Sequence, residues 1–325
     1  MGLSDEQLRG LANAAQLYEA WKEVMLPLSR LPGGMYWRVI NSREYLYQYA
    51  STGAGKQQTK SLGPRTPGAE QAYEEFKRTK GDLEERRIGI EKRLEEFAPA
   101  WRALRLPAVD RSAGAVLRAL DLAGFVGKSV LVVGTYALKA YEVEAAALFA
   151  TGMDATEDLD FTLLVDEDAD SDLPRRLLLT LRQADSTFIV SPKSAGTAVN
   201  RIGYRVDLLT GGTGEGKRGW AGPWKPQVLE GQEWFRAGRP VTTVLIDFDG
   251  WPVALAAPDP RYFALHKLWL SNRAGRPAIK RAKDKRQGEA LLLAVAEHMP
   301  HYPLDNRFVQ ALPAVLKDAW AAAQH

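Results

Sequence analysis

Apolar residues near the start of the chain recur at the spacing of a helix. Leu8, Leu11, Ala15 and Tyr18 fall on one face after Ser4, a suitable N-cap, and Pro27 is expected to stop the run, so the pattern predicts a helix over 4–26. The character then changes. In 35–51, aromatic and β-branched residues crowd both sides of Asn41-Ser42. Tyr36, Trp37, Val39 and Ile40 precede the turn and Tyr45, Leu46, Tyr47 and Tyr49 follow it, which predicts a β-hairpin. A third strand is expected along 56–63 after a glycine turn at Gly53–Gly55, closed by Pro64 and Pro67.

From 69 to about 98 the period returns to that of a helix. Tyr73, Phe76, Leu83, Ile90, Leu94 and Phe97 form an apolar stripe among Glu, Lys and Arg, weakened at Gly81 and Gly89, and Pro99 is expected to end or kink it. Pro107 closes this part, so a first domain is expected over 1–107. Beyond it, helical and strand patterns alternate: a helix over 112–125, an apolar strand over 130–134, a helix over 135–146, a strand opening at Asp158, a helix over 173–184, and strands over 187–191, 197–201 and 204–209. A glycine-rich loop over 211–226 lacks the GxxxxGK[ST] pattern of a P-loop. A hairpin over 241–258, turning at Asp249-Gly250, completes a domain expected over 108–258, and a mainly helical domain follows over 259–325. The fold class is α+β.

Composition narrows the picture without naming a chemistry. The chain has 325 residues, 46% of them hydrophobic, enough for a sizeable core. The formal net charge is only +3, so charge alone does not announce a nucleic-acid binder. There is no cysteine, which excludes thiolate catalysis and cysteine-ligated metals, and the histidines (His266, His298, His301, His325) are too scattered for a histidine metal site. No segment approaches the roughly 18 consecutive apolar residues of a membrane span. The first residues also lack the pattern of a signal peptide. The expectation is a soluble cytoplasmic protein.

Candidate chemistry centres on 152–166, where Glu157, Asp158 and Asp160 lead into an apolar run. Carboxylates at the mouth of a core repel one another and resist burial. Strand alternation turns Asp158 and Asp160 to one face and Glu157 to the other. Asp207 is a third acid inside the apolar run 206–209 and would converge with them if its strand were their neighbour. Such a set suits hard cations completed by substrate phosphates. Upstream, a strand runs into Gly134-Thr135 and then a helix, where glycine admits a phosphate and the helix start offers amide donors.

Gly134-Thr135, then Asp158-Leu159-Asp160, then Asp207, in that order over roughly 110–210, resembles the DNA polymerase beta-like nucleotidyltransferase superfamily. Threonine stands where that superfamily has serine, which keeps the hydroxyl. The chain as a whole is similar to bacterial proteins of this fold that carry an N-terminal aromatic hairpin ending in KSLGPRTP, and related enzymes include toxins that modify transfer RNA. The resemblance implies a nucleotidyltransferase palm, a mixed sheet with flanking helices. It implies that Asp158, Asp160 and Asp207 hold Mg2+ and act in catalysis, and that Gly134, Thr135 and Thr156 contact the nucleoside triphosphate. The reaction implied is in-line attack by an acceptor hydroxyl on the α-phosphate, with loss of pyrophosphate. An RNA acceptor such as tRNA, a toxin role and an antitoxin partner come with the same resemblance.

Other residues carry two readings each. Lys267 could reach the triphosphate or be an ordinary exposed lysine, and Lys280 and Lys283 resemble the basic helix of related toxins or are simply solvated. His266 reads as a packing or hydrogen-bonding residue rather than as a base. Asp166, Glu167, Asp168, Asp170 and Asp172 read as a solvated acidic loop. The basic stretches 56–65 and 273–286 could contact nucleic-acid phosphates. Tyr36, Trp37, Tyr45, Tyr47 and Tyr49 could stack bases, or pack the hairpin on the long helix. A catalytically inert nucleic-acid-binding protein, and an enzyme acting on a protein or small molecule, are the alternatives.

Overall fold

A computed structural model of the chain describes residues 2–52, 56–149, 158–212 and 219–324. Where the sequence suggests three segments, contacts divide the chain into two compact units, 16–99 and 1–15 together with 100–325.

The unit over 16–99 comprises most of two long helices, α1 (Asp5–Arg30) and α2 (Pro67–Ala103), and the strands β1 (Gly34–Ile40), β2 (Arg43–Thr52) and β3 (Lys56–Pro64). The strands pair antiparallel in chain order. Asn41 and Ser42 both take left-handed backbone angles, φ 46° and 61°, and a two-residue turn of this kind matches the twist of the strands it joins. Directly opposed residues share a sheet face, so Trp37 and Leu46 lie on one side and Tyr36 and Tyr47 on the other. The first side packs on α2. Leu46 is buried, the Trp37 ring meets Tyr73 edge-on at 5.8 Å, and Lys80 donates to the Gly33 carbonyl. Burying a side chain the size of Leu46 stabilises by about 1.5–3 kcal/mol.

Pro27 does not stop its helix, and Pro99 does not end its own. Helix α1 runs through Pro27 to Arg30, and α2 runs through Pro99 to Ala103. A proline inside a helix removes one N–H bond to the residue four positions back. Here Pro27, Pro99 and those residues, Glu23 and Glu95, are all exposed, so water can satisfy the freed carbonyls.

The other unit begins with residues 1–15, tied to the rest of that unit. Leu3 N donates to the Ala146 carbonyl at 2.7 Å, Gly2 bridges to Ala147, and Gln7 Nε2 donates to the Leu104 carbonyl at 2.9 Å. After β4 (Ala108–Val109) comes α3 (Arg111–Leu122), whose N-cap Asp110 accepts from the amides of Ser112 and Ala113, and which buries Val116, Leu117 and Leu120. Next are β5 (Val130–Val133), α4 (Ala137–Glu144), β6 (Asp158–Leu163), α5 (Glu167–Asp170), α6 (Leu173–Ala184), β7 (Ile189–Ser191), β8 (Ser194–Val199), β9 (Arg205–Thr210) and β10 (Gln227–Val228). These strands form one mixed sheet, ordered β5-β6-β9-β8-β7, with β10 parallel to β9.

A smaller sheet, β12-β11-β4, is made by β11 (Val241–Asp247) and β12 (Pro252–Ala257) with β4. Asp247 Oδ1 accepts from the amides of Asp249 and Trp251 and so closes the turn that the sequence places at Asp249-Gly250. Helices α7 (Pro260–Ser271), α8 (Ala278–His298), α9 (Asn306–Ala311) and α10 (Ala314–Ala322) follow. Helices α7 and α8 approach closely because Gly288 has no side chain; a Cβ there would lie 2.7 Å from Leu268 Cγ. The fold class is α+β, mixed sheets with flanking helices. Among the described residues no helix is long and apolar enough to cross a membrane.

Candidate active site

Every residue of β5 is buried, and the strand ends at Gly134, which has φ 69°. Its neighbour β6 runs antiparallel and sets Asp160 opposite Val133. On the other side β6 pairs parallel with β9, Asp160 opposite Asp207 and Asp158 opposite Arg205. Strand β8 then sets Thr197 opposite Asp207, and the Thr197 hydroxyl donates to Asp207 Oδ1. One row across the sheet therefore reads Val133, Asp160, Asp207, Thr197. The two acids converge because their strands are neighbours in register. Asp160 Oδ2 occupies the space that the absent side chain of Gly134 leaves, since a Cβ there would overlap it.

The electrostatics follow from that crowding. Asp160 is partly buried, and its carboxyl is pushed up to about 7, first by burial, then by the facing Asp207; Asp158 adds to this, while Lys267 and Lys280 oppose it. Arg205 lies 3.5 Å from Asp158 and 3.9 Å from Asp207, an exposed guanidinium at the edge of the acids. It was not legible as part of the site, although an arginine two residues before Asp207 shares that residue's strand face.

Asp160 and Asp207 open into a cleft of about 930 Å³. Its opposite wall comes from α7, the turn after it and the start of α8, and includes Lys267, Trp269, Arg273, Arg276 and Lys280. Lys267 is only 8% exposed, which removes the reading of an ordinary surface lysine. Its Nζ lies 3.1 Å from Asp284 Oδ1, and Arg276 also binds Asp284. Burial lowers the Lys267 pKa, while Asp284 and Asp160 hold it up. Asp284 thus anchors two cations beside the acids. The close approach at Gly288, one turn further along α8, brings it near α7.

Of the remaining sequence candidates, Gly134 and Lys280 line the cleft. Thr135 is buried and accepts from Lys283 Nζ at 3.2 Å. The helix after them starts at Ala137, not at Thr135, because 134–136 forms a turn. Thr156 and Glu157 lie outside the described residues. His266 is packing, as expected. It is enclosed by Phe235, Trp234 and Trp269, with ring centroids 4.6, 5.9 and 5.5 Å away, and burial lowers its pKa to about 3, with Lys267 and Arg276 adding to the effect. The acidic stretch 166–172 is partly the short α5. Arginines answer three of its acids: Asp166 meets Arg236 at 2.6 Å, Asp172 meets Arg175 at 2.6 Å, and Asp170 meets Arg176.

Among the described residues no group of three His, Asp or Glu side chains stands ready as a metal cage. The facing pair supplies two hard oxygen ligands instead. That arrangement fits magnesium, which is commonly bound by one or two carboxylates with waters and substrate phosphates completing its shell. A phosphate in the cleft would meet Gly134 on one side and lysine and arginine on the other.

A family model described as nucleotidyltransferase matches residues 111–313, more than half of the chain. A comparison with curated proteins returns no match, and neither does a comparison with solved structures.

Proposed function

The chain belongs to this nucleotidyltransferase family, and from that premise we propose that it moves a nucleoside monophosphate from a nucleoside triphosphate to an acceptor hydroxyl, with magnesium held by the facing pair Asp160 and Asp207 and, as the resemblance implies, by Asp158. The observation that carries the reading is the in-register pair Asp160–Asp207, set against Gly134 and facing a wall with buried Lys267, half-buried Arg276 and exposed Arg273 and Lys280. Magnesium, when bound, neutralises charge on the triphosphate and on the attacking oxygen. The chain's own residues do the rest. Gly134 lets the phosphates approach the backbone. Lys280, Lys267 and Arg276 offset their charge, Thr135 and Lys283 buttress the turn beneath them, and Thr156 contacts the nucleotide as the resemblance implies. The acceptor oxygen forms its bond to the α-phosphorus as the bond to pyrophosphate breaks, and its proton leaves by way of the acid pair. Much of the rate enhancement is then positioning and preorganised charge.

The acceptor is an RNA, tRNA included, in this reading, and the aromatic sheet of the unit over 16–99 supports that choice. A toxin role, an antitoxin protein as partner and a cytoplasmic location rest on the resemblance and on a cysteine-free composition suited to a reducing compartment. The test is to incubate the protein with magnesium, each labelled nucleoside triphosphate and total RNA, beside Asp160→Asn and Asp207→Asn. Label on RNA with the parent and none with either variant is expected. Label on the protein itself, or on a small molecule, would replace the RNA acceptor; no transfer to anything would leave an inert binder.

A further inference from the structure

The face of the three-stranded sheet that is turned away from α2 has a composition that packing within its unit does not explain. Opposed positions put Tyr36 beside Tyr47 and Arg38 beside Tyr45, with Tyr49 and Arg43 at the two ends of the same face. Tyr36 and Tyr47 stack with centroids 5.8 Å apart, Tyr36 and Tyr49 lie 6.3 Å apart, and the Arg38 guanidinium sits 5.8 Å over the Tyr47 ring. The row runs Tyr49, Tyr36, Tyr47, Arg38. Gly34 makes it possible, since a Cβ there would come within 2.5 Å of the Tyr49 ring, which lies across that backbone.

Tyr36 is 37% exposed, and Arg38 and Arg43 are both exposed. The hairpin's carboxylate, Glu44, is on the opposite face and is paired with Arg65 at 2.6 Å. The outward face of β1 and β2 therefore carries two cations, four tyrosines and no acid. Tyrosine and arginine also occur at protein interfaces, but a face with two cations and no carboxylate favours an anionic partner. Aromatic rings in a row with guanidinium groups among them suit successive unstacked bases and their phosphates.

We infer that this sheet face is a binding site for single-stranded nucleic acid, with Tyr36, Tyr47 and Tyr49 as stacking platforms and Arg38 and Arg43 as phosphate contacts. The inference does not depend on the transfer reaction.

The experiment measures fluorescence anisotropy of a short labelled oligouridine with the full chain, without nucleotide or magnesium, at several salt concentrations. Tyr36→Ala with Tyr47→Ala should weaken binding roughly hundredfold, since each stacked base contributes about tenfold or more. Tyr36→Phe with Tyr47→Phe keeps the rings and should bind like the parent. Arg38→Glu should weaken binding and flatten its salt dependence. Should the alanine pair melt early, Arg38→Glu decides alone. Asp160→Asn should bind normally, which separates this site from the transfer chemistry. No binding by the parent, or equal binding by the alanine pair and by Arg38→Glu, overturns the inference. So does a parent dimer that the alanine pair converts to monomer without changing RNA affinity, which would make the face a protein contact.

Discussion

Asp160 on β6 and Asp207 on β9 stand opposite each other in register across a parallel strand pair, with Thr197 holding the second and Gly134 making room for the first. Two carboxylates fixed in this way repel each other unless a proton or a cation lies between them.

The repulsion should be visible in stability against pH. The folded-state pKa of Asp160 is raised to about 7 from its ordinary 3.8. The folded protein therefore holds the proton more tightly than the unfolded chain, and this group's contribution falls as pH rises from about 4 to about 7, then stays flat. In chelator at pH 8, Asp160→Asn should melt higher than the parent, and the gain should vanish near pH 4. Magnesium should raise the melting temperature of the parent and not that of the variant. Thermal unfolding with and without chelator measures both.

His266 should pull the other way. Its pKa is lowered to about 3, so the unfolded chain takes up its proton first and stability falls as pH drops from about 6.5 toward 3. His266→Phe should flatten that acid-side loss, and it should leave the neutral-pH rate profile unshifted, because His266 is already uncharged there. Urea unfolding across pH 3–7 checks the first outcome and initial rates the second.

Gly134→Ala should damage both fold and chemistry. A Cβ at φ 69° is strained and would meet the Asp160 carboxylate. A loss of about 1–3 kcal/mol is expected in chemical denaturation. Nucleotidyl transfer should fall further than the loss of folded protein accounts for, because Asp160 must move.

Asp284→Asn should cost more than Lys267→Met. The first leaves two cations, Lys267 and Arg276, around a neutral side chain, at roughly 3–5 kcal/mol. The second removes the buried cation and leaves Asp284 its bond to Arg276. Equal losses in urea unfolding would refute the shared anchor.

Much of the site could be read along the chain because its members announce themselves locally. Asp158 and Asp160 alternate into an apolar run, and Asp207 is an acid among Val206, Leu208 and Leu209. The hairpin was equally plain, since aromatic residues flank Asn41-Ser42. Asp284 was hidden for the opposite reason: it sits in the basic run KRAKDKR and looks solvated until α8 meets α7 at Gly288. Pro27 and Pro99 misled because helix propensity does not reveal that the carbonyls they free face water. The burial of Lys267 depends on a partner on another helix, which no local pattern carries.

The first fifteen residues belong with 100–325, and Gly2 and Leu3 are bonded to Ala147 and Ala146. This sets an order of events during synthesis. Residues 16–99 can close on one another as soon as Pro99 has left the ribosome. Gln7 must wait for Leu104, and Gly2 and Leu3 for Ala147 and Ala146. Gly2 and Leu3 therefore find their partners only after all of residues 16–99 have been made, although they come before them in the chain.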